Sequence, residues 1–128
     1  MQNRLVPRME WGHFFDAFSR RHRGETVTVR VMGPKIGSQV EARDLPFAGM
    51  VPGVPGEALA IDILLGSPPP GPNVEHRVAD PAEVWVGMTD RGAEEALEIR
   101  SVDGTQTVVQ FAVVPRRFAV PVTDADWP

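Results

Sequence analysis

Across residues 11 to 31 the spacing of apolar side chains changes from helical to alternating at a single glycine. Trp11, Phe14, Phe15 and Phe18 stand at i, i+3, i+4 and i+7, the spacing that lines up on one face of an α-helix. At about 100° per residue, His22 continues this stripe, whereas His13 and Arg20 point away from it. Asp16 precedes Arg20 by four residues, the favourable order for an ion pair on a helix. Gly24 can take the left-handed conformation that ends a helix, so the spacing predicts a helix over about residues 9–22. Directly afterwards Val27, Val29 and Val31 alternate with Thr26, Thr28 and Arg30, the pattern of a strand with one buried face. An aromatic stripe beside an alternating strand buries itself by stacking helix on sheet.

The rest of the chain is written in short strands between turns, as expected where 13 prolines and 12 glycines punctuate 128 residues. "QVEAR" alternates after the turn "GPKIG", and "LPFAGMVPGVPGE" makes a punctuated crossing. Leu59, Ile61, Ile63 and Leu65 share one face, and Ala58, Ala60 and Leu64 make the other nearly as apolar. That two-sided pattern predicts a central strand. "SPPPGPN" reads as an exposed polyproline-like loop, and "VEHRV" and "EVWVGM" as two strands around the turn "ADPA". Asp103-Gly104 marks a hairpin. A two-residue loop would oppose Leu97 to Gln110. A three-residue loop with Gly104 in a bulge opposes Leu97 to Val109 and Ile99 to Thr107, with Phe111 on the same face. Only the second register separates apolar from polar, so it is the one expected.

One helix followed by about seven short strands, with no helix to make parallel crossovers, predicts a mainly β (α+β) fold. The helix packs on a small, bent antiparallel sheet that closes into an SH3-like or Sm-like barrel and ends in a β-hairpin. Residues 1–114 are expected to form one globular domain and 115–128 a proline-rich tail. "TQTVVQFAVV" holds no charge between Thr105 and Val114 and is expected at an exposed sheet edge; a homodimer is expected through a strand edge or through the helix.

The segments "FFDAFSRRHRGETVTVRVMGPKIGSQVEARDLPFAGM", "VEHRVADPAEVWV" and "ALEIRSVDGTQTVVQF" resemble a family of short, uncharacterised bacterial proteins over most of residues 10–112. In order of elements the chain also resembles Sm-like and other SH3-like barrels. Such barrels can bind RNA, but "LPFAGMVPGVPGEALAI" stands where an Sm-type aspartate-and-asparagine loop would be.

The chemistry-bearing residues narrow the functional classes. A net charge of -4 disfavours a general nucleic-acid binder, and zero cysteines exclude disulfides and thiolate chemistry and suit a reducing cytoplasm. The first fifteen residues lack the apolar core of a signal peptide, and no stretch reaches membrane-spanning length. Arg20, Arg21, His22 and Arg23 form the last turn of the expected helix, where positive charge is favoured by about 0.3–1 kcal/mol per residue. The alternative is an anion site built from Arg21, Arg23, Arg30 and Arg43. His13, His22 and His76 are too scattered for a metal site, which needs three or four converging donors. No serine lies in a nucleophile motif, and Glu94-Glu95 and Asp124/Asp126 read as solvated charge.

Asp62, alone in an apolar strand, and His76 are the weak candidates for chemistry. The expectation is therefore a non-enzymatic binding or protein-interaction module with no catalytic residue, metal or cofactor. Its contacts would lie at Phe47, Met50, Val51 and Trp85. A nucleic-acid-binding small barrel is the alternative, and an enzyme using Asp62 or His76 the third reading.

Overall fold

The computed structural model of the chain describes residues 2–52, 59–66 and 74–112. Strand β1 (Gln2–Val6) leads through a single 3₁₀ turn (Arg8–Glu10) into helix α1 (Trp11–His22). Seven strands follow: β2 (Thr26–Gly33), β3 (Gly37–Pro52), β4 (Ala60–Leu65), β5 (Val74–Ala79), β6 (Pro81–Met88), β7 (Glu94–Ser101) and β8 (Gln106–Phe111). They form one antiparallel sheet in the order β1-β6-β7-β8-β2-β3-β4-β5.

The helix starts at Trp11 and ends where its sequence says it should. Gly24 takes φ 90°, and the N–H of Glu25 donates back to the carbonyl of His22 at 3.0 Å. The aromatic stripe turns onto the concave face of the sheet, where Phe15, Phe18, Val27, Val29, Phe47, Ile63, Val84, Val86, Leu97, Ile99, Val109 and Phe111 form the core. His22 is also buried, its ring 4.5 Å from that of Phe18 and 4.4 Å from that of Phe111.

The sheet bends through β3. Its first part pairs with β2, and from Phe47 onward it pairs with β4. At the changeover Asp44 adopts φ 53°, and its backbone N–H donates to the Thr28 hydroxyl at 3.3 Å. A short polar side chain tolerates that left-handed geometry better than a bulky one.

The hairpin takes the three-residue register, with Leu97 opposite Val109 and Ile99 opposite Thr107. The Asp103 carboxylate accepts the Thr105 N–H at 2.8 Å across the turn, and this hydrogen bond holds its pKa below the ordinary 3.8. A carboxyl depressed in the folded state adds stability that is complete above its unfolded pKa and lost as pH falls through the folded one. Asp103→Asn is therefore expected to lower stability slightly at neutral pH and to flatten its fall below about pH 4, where parent and variant converge. Denaturant melts at several pH values check this, and identical acid profiles would contradict it.

Three expectations are corrected. The sheet does not close into a barrel, and β1 and β5 remain its edges. β5 meets β7 only at its end, where the Val102 N–H donates to the Asp80 carbonyl at 2.9 Å. Beyond that point β1 extends the sheet past β6 instead of sealing it. Second, "TQTVVQFAVV" is not an edge, because β8 lies between β7 and β2. Its lack of charge is the mark of an interior strand. Third, β1 has no counterpart in the sequence reading: five residues with one buried member, Val6, give too little periodicity to see. β4 is flanked on both sides as expected. The loop 67–73 and the tail 115–128, with Phe118, Asp124 and Asp126, lie outside the described residues.

Candidate functional site

Each basic residue at the helix end has a partner within the chain. Arg20 pairs with Asp16. Arg21 holds Glu94 in a fork, with Nη2 donating to Oε2 at 2.9 Å and Nε to Oε1 at 3.2 Å. His22 sits between two carboxylates, with Nε2 2.6 Å from Glu94 Oε1 and Nδ1 3.1 Å from Glu25 Oε1. An imidazole donates from both nitrogens at once only as imidazolium. Arg23 donates to the carbonyl of Ala48 at 3.2 Å. Glu94, read from the sequence as solvated, is therefore the centre of this cluster, its side chain 15% exposed.

The same stretch finishes the edge of β3 where that strand leaves β2. The Gly24 N–H donates to Phe47 O at 2.8 Å, and the Phe47 N–H to Glu25 O at 2.7 Å. The buried Ser19 hydroxyl accepts the Met50 N–H at 2.9 Å and lies 3.3 Å from Met50 O. Backbone groups that would stand bare at a strand edge are thus satisfied by the helix.

Arg21 and Arg23 turn to different partners, while Arg30 stands on the outer face of the sheet between Val40 and Val108 and Arg43 is exposed on β3. Replacing Arg21 and Arg23 together by glutamine is expected to lower stability by about 1 kcal/mol or less. Retention on heparin at low salt should not change. Salt-sensitive retention of the parent chain that vanished in the variant would instead mark a phosphate site.

The remaining candidates fall in different places. Phe47 and Met50 are core residues, 0% and 2% exposed, so a partner cannot reach them without opening the fold. Val51 is exposed beside Asp62 in the register. Asp62 is buried and accepts a fork from Arg77, with Nε to Oδ1 at 2.8 Å and Nη2 to Oδ2 at 3.0 Å. That pairing accounts for a carboxylate in an apolar strand.

Trp85 lies on the outer face, its Nε1–H donating to Glu83 at 3.0 Å and its ring 5.5 Å from the Arg100 guanidinium. Registers place Leu5, Trp85, Glu98, Val108, Arg30 and Val40 in one row across six strands. Leu5, at the β1 edge, is 45% exposed.

His76 faces inward from β5 and lines a cleft of about 150 Å³ between that strand and the β7–β8 turn. The other lining residues include Val31, Val78, Ser101, Asp103, Thr105 and Thr107. Of these the sequence reading singled out only His76. Thr107 was legible as the one hydroxyl among Leu97, Ile99, Val109 and Phe111 on the apolar face of the hairpin. Ser101 and Thr105 gave no signal, because only the fold brings the end of β7 to β5.

Among the described residues no group of three or more His, Cys, Asp or Glu side chains is placed to hold a metal ion. Among the same residues no helix is long and apolar enough to cross a membrane. The model of a family described as "Family of unknown function (DUF5335)" matches residues 2–118. No curated protein and no solved structure matches the chain.

Proposed function

Because the chain belongs to this family of unknown function, membership brings it no activity, and we propose from its geometry that it is a non-enzymatic protein-interaction module acting through the open β1 edge, with a second copy of itself as first partner. The observation that supports this is the apolar pair that ends the row at the β1 edge, the exposed Leu5 beside Trp85. The outer side of β1 carries no charge: Arg4 turns inward, its guanidinium 6.0 Å over the Phe14 ring. Leu5 stands beside Trp85 on the outer face.

The β5 edge is different. It carries Glu75 and Arg77 on its outer side, the kind of charge that discourages strand addition. An antiparallel edge is self-complementary about a two-fold axis, so β1 of one copy can pair with β1 of another and continue both the sheet and the row. The cysteine-free composition suits the bacterial cytoplasm we assign to it. Residues 1–114 act as the globular unit and 115–128 as a proline-rich appendage.

Light scattering at micromolar concentration should report twice the 14.0 kDa chain mass. Leu5→Lys, which places a charge on the exposed side of the edge, should return the single-chain mass without lowering the melting temperature of the monomer. A parent chain that scatters as a single copy would refute this reading.

A further inference from the structure

The cleft beside His76 has no part in the β1 edge, and its chemistry points to a ligand of its own. Thr107 is 2% exposed, and its hydroxyl has no hydrogen-bond partner among the described residues. A buried hydroxyl left unpaired costs about 1–3 kcal/mol, so such a group ordinarily meets a water or a ligand atom. The cleft it lines measures about 150 Å³, against the ~10–15 Å³ that one water needs. There is room for a ligand group as well as for solvent.

The polar groups around that space offer acceptors. Asp103 accepts the Thr105 N–H at Oδ1 and also bonds the Thr105 side chain, and the roughly four acceptor positions of a carboxylate leave it room for a further donor. Its depressed pKa keeps it a carboxylate at neutral pH. The hydroxyls of Ser101 and Thr107 can each accept, and a neutral His76 offers one ring nitrogen. Val31, Val78 and Ala79 supply the apolar wall. Arg77, also on the lining, is held by Asp62 on the other face of the strand, and Lys35 acts on Asp103 through its charge. A carboxylate at the lip repels anions, and several acceptors around an apolar wall suit a group with several donors and no acceptor.

We propose that the cleft between β5 and the β7–β8 turn binds a primary ammonium group on a short apolar stem, with Asp103 and Thr107 as its principal acceptors. A free alkylamine and a lysine side chain of a peptide share this chemistry.

Amide chemical shifts of the full chain titrated with n-butylamine hydrochloride, n-butanol and sodium butyrate test it at matched pH and ionic strength. Butylamine is expected to shift the amides of Ser101, Thr105, Thr107 and His76 in a saturable way at roughly millimolar concentration. Butanol and butyrate should leave them in place. Thr107→Val keeps the side-chain shape and removes only a hydroxyl without a protein partner. It should fold at least as well as the parent and bind butylamine at least fivefold more weakly, as should Asp103→Asn. A third arm uses N-acetyl-lysine N-methylamide and an extended pentapeptide with one central lysine. Tighter binding of the pentapeptide, with shifts spreading along Val74–Ala79, assigns the ammonium to a peptide laid on β5. Equal binding assigns it to a small amine. Shifts that are no larger for butylamine than for butanol, or that persist unchanged in both variants, mean the cleft holds solvent only and overturn the proposal.

Discussion

Replacing Phe18 with alanine is expected to cost about 3–5 kcal/mol of stability, the range for large aromatic truncations in a packed core. Phe18 is 0% exposed. Its ring lies 5.3 Å from Phe14, 5.9 Å from Phe47, 5.6 Å from Phe111 and 4.5 Å from His22. It therefore joins the helix to β3, where the sheet bends, and to β8, in its middle. Truncation would leave a void touching three elements, which cannot all collapse into it together. A domain of ordinary stability holds about 5–15 kcal/mol, so this one change would consume much of it. Urea unfolding followed by tryptophan fluorescence measures the loss. A cost below about 1 kcal/mol would mean that the helix does not pack as described.

Glu94→Ala should be the most damaging polar substitution, at about 2–3 kcal/mol. Removing one partner of a fully buried pair costs about 3–5 kcal/mol. Here Arg21 is half exposed, its side chain at 47%, and part of its charge returns to water. The His22 ring, stacked against Phe18 and Phe111 with its side chain 10% exposed, cannot turn to water to replace the hydrogen bond it loses. The loss should depend on His22. In a His22→Phe background the same Glu94→Ala change should cost about 1 kcal/mol or less, because an apolar ring in that slot leaves no buried ring nitrogen without a partner. Costs that add without coupling would show that Glu94 acts through something other than the histidine.

The elements visible in the sequence were those with enough residues to establish a period. The aromatic stripe and the hairpin register each rest on four or more side chains in a fixed pattern, the Gly24 stop on the change of period at one glycine, and each stands as read. Closure was not legible, since it depends on where β5 meets β7 and on a five-residue strand that pairs with residues 84–88. The candidate site divides in the same way. His76 was visible as a lone titratable residue on a strand, and Thr107 as one hydroxyl on an apolar face. Their meeting across a cleft is a long-range fact that no local pattern records. Glu94 was misread for a related reason: its partners lie 72 and 73 residues away, while its nearest neighbour in sequence is another acid.

The pairing of Gln2 with Met88 also bears on how the chain is made. At ~5–20 residues per second, the ribosome takes roughly 4–17 s to travel from one residue to the other. From its own emergence until residues 84–88 emerge, an interval of the same length, the β1 segment has no strand to join. Leu5 and Val6 then wait as an unpaired apolar pair on the nascent chain, open to any chaperone that reads short extended segments.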